Sequence, residues 1–431
     1  MTTDDFIHDY IPLFFHYQEL MWDRYAHELD NDTGCVESDV YTLCHRHRYV
    51  LGKSPKSREE AVMQQIIARE LVERHPLVAR LRNRLDSWSN YNASNLTRAE
   101  LAMAMKPDVL NLMEHRNRLA QDLGYVSYPA LALKSSDTEE LNVRDVLRGF
   151  LSRNLPRAKD LIKHHGLTTE NGYPRLRQLG GSTPGTSRSP LELATDLAGL
   201  LGLSQLLSHV SLHVLESGFG YTGAIAVPGD VRILTRPITS LQEQATQYHE
   251  LGHALAHAAN TGPGLFKTWT SLSDETMGVL MERLASRLVF TEEQSQLVAD
   301  ISLIENVRCA VSSLFELDLW SSPERAEELY AEHYGKLGLA ISEPALWALD
   351  TFRSIDPVYV HNYVLGAMIA DRIITHLEAL FCVRTEQYGP WLEQEMYQCG
   401  RQEPLPAKLK RLGIDLSDWP TDQGHSRSER S

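Results

Sequence analysis

The sequence predicts a mainly α-helical fold with one small antiparallel β-sheet beside the functional site. Three observations carry that expectation. Apolar residues recur at i, i+3 and i+4 along most of the chain. One stretch, 221–237, breaks that period and reads as a β-hairpin. The helix that follows the hairpin holds an HExxH motif at 249–253.

Helical periodicity covers 12–29, 59–83, 98–123, 141–165 and 190–216 before the hairpin. In the hairpin, Ala224–Val227 and Val231–Leu234 are β-rich, and Pro228-Gly229-Asp230 between them has turn chemistry. Helices resume at 241–259, 275–290, 296–319, 323–337 and 358–381. The stretch GGSTPGTSRSP at 180–190 reads as a flexible connection, and TGPG at 261–264 stops a helix. Residues 1–110 are expected to form a helical wall or lid, 111–420 the core, and the polar 421–431 a disordered tail. No internal repeat is visible.

Composition narrows the function classes. With 42% hydrophobic and 23% charged residues, the chain is neither disordered nor low-complexity. A net charge of −15 argues against nucleic acid as a partner. No apolar run approaches the ~18 residues that a membrane span needs. The start, MTTDDFIHDY, lacks a secretory leader, and the five scattered cysteines form no CxxC, so a reducing, cytoplasmic setting is expected. Cys44-His45-Arg46-His47 matches no zinc module and reads as a solvated helix face. His209 and His213 lack a neighbouring base glutamate and read as structural histidines on a helix.

The motif His249-Glu250-Leu251-Gly252-His253 carries the chemistry. On a helix, i and i+4 share a face, so both imidazoles reach one ion with Glu250 beside them as a base. Ser240 and Glu243 read as a capping box that starts this helix. A zinc ion wants a third protein ligand. The next helix, capped at Ser273 or Asp274, offers Glu275 for that role. Glu282, two turns on, is expected to orient a ligand histidine or Glu275 itself. One zinc per chain follows, with Glu250 taking a proton from water and later passing it to a leaving amine. Tyr359 and Tyr363 are i, i+4, so both hydroxyls are expected to face one cleft and meet an oxyanion. His257 lies one turn past His253 and is expected to line the cleft, with His361 a weaker candidate. Val231–Leu234 is a candidate edge for an extended peptide, with Arg232 or Arg236 reaching a substrate carboxylate.

His249 to Leu255, with a glutamate some two dozen residues on and another seven beyond, resembles the thimet oligopeptidase/oligopeptidase F family. That family is related to angiotensin-converting enzyme and the Taq-type carboxypeptidases. The segments RNRLAQDLGYVSYPALAL (116–133), the 221–237 hairpin, YVHNYVLG (359–366) and 391–416 are similar to stretches of these enzymes. The resemblance implies a bilobed helical fold with a deep cleft. It also implies zinc on His249, His253 and Glu275, with Glu282 behind them, and Tyr363 before Tyr359 as the oxyanion donor. The implied activity is hydrolysis of short peptides. Two departures stand out: the chain is shorter than usual, and Arg353 stands where the family carries a histidine. They motivate one alternative, a pathway-specific tailoring enzyme acting on one peptide or amide; the full His/Glu/His/Glu set argues against a further one, a non-catalytic peptide binder. Two histidines and a carboxylate also suit Fe(II), which the base glutamate makes the lesser choice.

Overall fold

The structure, a computed structural model, describes residues 3–27, 29, 33–92, 96–138, 142–167, 188–216, 220–338, 341 and 343–416. The expected tail at 421–431 and most of the 180–190 connection lie outside them.

The chain opens with helices α1 (Thr3–Ala26), α2 (Gly34–His47), α3 (Arg58–Glu73), α4 (Pro76–Asn92), α5 (Arg98–Asp122), α6 (Tyr128–Ser135), α7 (Val143–His164) and α8 (Pro190–Leu201). Strands β1 (Val210–Val214), β2 (Tyr221–Ala226) and β3 (Asp230–Thr235) follow. Next come α9 (Leu241–Ala259), α10 (Ser271–Leu288), α11 (Glu292–Leu319), α12 (Ala326–Gly335), α13 (Thr351–Ser354), α14 (His361–Phe381), α15 (Tyr388–Leu392) and α16 (Leu405–Arg411). Local chemistry sets the starts: Thr97, Ser189 and Thr291 each close a capping box with the residue three ahead.

Several boundaries differ from the sequence reading. The stretch 59–83 is two helices, because Pro76 has no N–H to continue the first and is well placed to open the second. The stretch 190–216 is α-helical only to Leu201, and after a 3-10 helix over Ser204–His209 it turns to strand. Gly202 ends the α-helix in the left-handed region at φ 75°, and β1 is that strand. His213 therefore sits on a strand, its ring edge-on to Trp22 at 5.0 Å. The CHRH run lies on α2 with Cys44 and His47 buried, so only His45 and Arg46 face solvent.

The sheet has the order β1-β3-β2. The hairpin pair β2-β3 is antiparallel as expected, and β1 adds to the other side of β3 in parallel, which makes the sheet mixed. Val231–Leu234 is thus the central strand, and β2 is an edge. One large apolar core joins α4–α12, α14 and the sheet. A second unites the first half of α1 with α2 and α3, and a third packs Trp22 and Ala26 of α1 on Ile225 and Leu234. All five cysteines are free, and no described helix is long and apolar enough to cross a membrane.

Buried charge ties the N-terminal helices together. Glu73 accepts bonds from Arg116 at 2.7 Å and from the Tyr128 hydroxyl at 2.6 Å, joining α3, α5 and α6. Burial would raise the Glu73 carboxyl, but Arg116, Arg82 and Tyr128 hold it below its usual value of 4.5. Its contribution to stability is therefore complete above pH 4.5 and falls away as acidification reaches the lower folded value. Glu73→Gln is expected to cost roughly 3 kcal/mol and to flatten that acid limb. Urea unfolding at a series of pH values measures both.

Candidate active site

Helix α9 begins at Ser240, whose hydroxyl accepts the Glu243 N–H at 3.2 Å. The predicted reciprocal bond goes one residue further back, since Glu243 takes the Thr239 N–H at 2.8 Å. Helix α10 starts a turn earlier than expected, capped by Thr270. Asp274 and Glu275 are therefore fully helical and lie against α9.

Close packing of α9, α10 and α14 builds the site. A Cβ on Gly252 would stand 2.2 Å from the Met277 carbonyl, so only glycine lets α9 and α10 meet there. A Cβ on Gly278 would stand 2.7 Å from His249 Nε2 and 2.8 Å from His253 Nε2. On α14, a Cβ on Gly366 would stand 3.1 Å from the Thr276 nitrogen. Gly366 lies seven residues past Tyr359, on the tyrosine stripe, where helix periodicity alone puts it at this close approach.

His249, His253 and Glu275 converge. Their ligand atoms lie within 4.8 Å of one another, and no other such triad exists among the described residues. His249 Nε2 is 3.0 Å from His253 Nε2 and 3.4 Å from Glu275 Oε2. Each imidazole has a carboxylate behind it: Glu282 Oε2 is 3.7 Å from His249 Nδ1, and Asp274 Oδ1 is 2.9 Å from His253 Nδ1. Carboxylates at these positions favour the tautomer with its proton on Nδ1, whose Nε2 lone pair faces inward. Asp274 also meets His257 Nε2 at 3.4 Å.

Charge is balanced accordingly. Burial would lower His249, but Glu275 and Glu282 raise its pKa well above the usual value. Burial would raise Asp274, yet His253 and His257 hold it well below the usual carboxylate range. Glu282 is lowered in the same way, against its burial, by His249.

Glu250 is buried at the cleft wall. The Thr222 hydroxyl on β2 reaches its Oε2 at 2.8 Å. A Cβ on Gly220 would stand 2.9 Å from Oε1, so the glycine leaves that oxygen room. The Tyr359 hydroxyl donates to Glu275 Oε1. The Tyr363 ring lies 5.7 Å from that of Tyr359, and both line the cleft. The cavity measures about 1090 Å³ and runs from these residues past β2 to the inner faces of α1, α3 and α4. His257 lines it too.

Three sequence expectations place residues elsewhere. Arg232 pairs with Asp230 at 2.6 and 3.0 Å, because i and i+2 share a strand face, and neither it nor Arg236 lines the cleft. His361 is buried, and burial pushes it down to about 4; two residues from each tyrosine, it points away from their stripe. Arg353 is also buried, engaged with Glu316.

The sequence reading missed Asp274, Thr222 and Gly278. A usable signal existed for the first: His249, His253 and His257 form one stripe that needs carboxylates on the facing helix. Thr222 and Gly278 have no local signature, since their roles arise from contacts 28 and 25 residues or more away.

No family model matches the sequence, and no curated protein matches it. Solved structures do resemble it in fold. The M32 carboxypeptidase from Deinococcus radiodurans R1 superposes with a TM-score of 0.66 at 14% identity, over 95% of this chain and 94% of that one. The Pyrococcus furiosus carboxypeptidase gives 0.67 at 15% identity, over 95% of both chains. A putative oligoendopeptidase F gives 0.67 at 14% identity, over 89% of this chain and 82% of that one. At such identities the likeness is one of architecture: the chain has the mainly helical fold of these carboxypeptidases and oligoendopeptidases.

Proposed function

We propose that this protein is a zinc-dependent peptidase acting on short peptides. One observation carries the reading. Glu275 Oε2 is buried without a hydrogen-bond partner and faces two imidazole Nε2 atoms, across the space that Gly278 keeps open. Burying such an orphan carboxylate oxygen is costly unless a cation satisfies it. The donor set, two nitrogens and one carboxylate, suits zinc with a position left open.

Bound there, zinc would supply a Lewis acid and a water of near-neutral pKa. The chain supplies the rest. Thr222 occupies Glu250 Oε2, which leaves Oε1 to take a proton from water and hand it to the leaving amine. The Tyr363 and Tyr359 hydroxyls are the donors at hand for a developing oxyanion, and Tyr359 also steadies Glu275. An extended peptide fits along β2, the edge strand whose Thr222 and Ala224 line the cleft with Gly220 just before them. The cavity, about 1090 Å³, is slightly larger than small-ligand sites, which are roughly 300–1,000 Å³.

Five arginines line the cleft: Arg24, Arg69, Arg74, Arg82 and Arg401. Arg24 pairs with Asp86, Arg74 with Glu70, Arg82 with Glu37, and Arg401 with the Ser135 carbonyl and Gln65. Arg69 makes no hydrogen bond or close ion pair with a described residue. Glu73, Asp356 and Glu70 act on its charge at longer range, and its fork of donors is left for a substrate carboxylate. Arg69→Gln is expected to raise KM about tenfold for peptides with a free C-terminus, with kcat little changed. Amidated peptides should show no such rise.

Chelation followed by repletion tests the reading as a whole. Cleavage of a short-peptide mixture should vanish with a chelator and return with zinc. A zinc-loaded protein that cleaves no peptide would refute it.

A further inference from the structure

The reaction has no evident use for Glu316, yet this carboxylate is 2% exposed and both its oxygens are committed. Oε2 accepts from Arg353 Nη1 at 2.9 Å, and Oε1 accepts from the Val358 N–H at 2.8 Å. Arg353 is 1% exposed and is further held by Ser312 and by Asp350 at 3.3 Å. One side chain on α11 thus pins two points of the segment that leads into α14.

What it pins is strained. Val358 has φ 59°, a left-handed conformation that a β-branched residue avoids because Cβ crowds the carbonyl. Such a backbone persists only where its surroundings over-determine it. Val358 is followed directly by Tyr359. The Tyr359 ring stacks on Phe352 at 5.6 Å and 11°, its carbonyl accepts from Asn362 Nδ2 at 2.8 Å, and its hydroxyl meets Glu275. The direction in which the chain leaves Val358 therefore decides where the Tyr359 hydroxyl lands.

We infer that Glu316 is a positioning residue: through the Val358 N–H it holds the strained turn that aims Tyr359 at Glu275 and Tyr363 into the cleft. Arg353 is its counter-charge, which is why the buried carboxylate is tolerated. The inference rests on the peptidase reading only for what the tyrosines then do. Placement of Tyr359 against Glu275 is testable without turnover.

Glu316→Asp is the informative variant. It keeps the charge for Arg353 but draws the carboxylate back by one methylene, out of reach of Val358. Cobalt(II) bound at His249, His253 and Glu275 reports the ligand field through its visible absorption. In E316D that spectrum should change, and kcat should fall about tenfold to a hundredfold, with KM and metal content as in the parent. Adding Val358→Gly should restore both, since glycine adopts positive φ without a clamp. A purely structural role predicts otherwise: a lower melting temperature, an unchanged cobalt spectrum, unchanged kcat and no rescue. Those results would overturn the inference. Should Glu316→Asp fail to fold, E316D/V358G is measured against V358G alone. Matching cobalt spectra and kcat support the inference, and a persistent difference overturns it. If the parent protein itself cleaves nothing, the peptidase reading fails, while the cobalt spectrum still decides the positioning claim.

Discussion

Glu250→Gln should abolish hydrolysis and leave the metal in place. The amide keeps the size of the side chain and can still meet the Thr222 hydroxyl, so the wall of the cleft stays intact. It cannot accept a proton at Oε1. General-base catalysis is worth about 10²–10⁴-fold, and a loss of roughly 10³ in kcat is expected here. Metal content should match the parent, because Glu250 is not among the three converging ligands. Kinetics on a cleaved peptide, paired with elemental analysis, measure both. Retained turnover would remove Glu250 from the proton path.

Gly278→Ala should empty the site without touching a ligand. The added methyl would stand 2.7 Å from His249 Nε2 and 2.8 Å from His253 Nε2, closer than atoms pack. Both contacts are with the far ends of side chains, so the imidazoles can swing aside and the helices need not part. The fold is expected to survive. Metal affinity should fall by two orders of magnitude or more, and activity with it, because a ligand set tolerates errors of only about 0.5 Å. Isothermal titration with zinc, alongside circular dichroism, separates the outcomes. A folded variant with parental affinity would mean that the ion lies elsewhere.

Much of the site was legible because its parts are local. The i, i+4 histidines, the base between them and the carboxylates at 275 and 282 are set by helix periodicity alone. Gly366 was legible for the same reason, lying on the tyrosine stripe. The rest depends on contacts that period does not encode. Asp274 adjoins Glu275 in sequence, and which of the two backs an Nδ1 and which turns to the Nε2 atoms is settled by how α10 crosses α9 and by a helix start at Thr270 rather than Ser273. Thr222 acts on Glu250 across 28 residues, through a strand packed on α9. β1 was read as helix because LSQLLSHVSLHVL keeps apolar spacing that fits either period, and Gly202 was the overlooked stop. That misreading also hid β3's second neighbour and made a central strand look like an edge. Arg232 shows the opposite failure: a basic residue near a cleft looked available, while Asp230, two positions away, already held it.

The central claim is that His249, His253 and Glu275 hold one zinc ion per chain. Elemental mass spectrometry on the purified protein and on Glu275→Ala, after zinc loading and dialysis, tests it most directly. The account predicts about one zinc per chain in the parent and little in the variant. No zinc in the parent, or equal zinc in both, would contradict it.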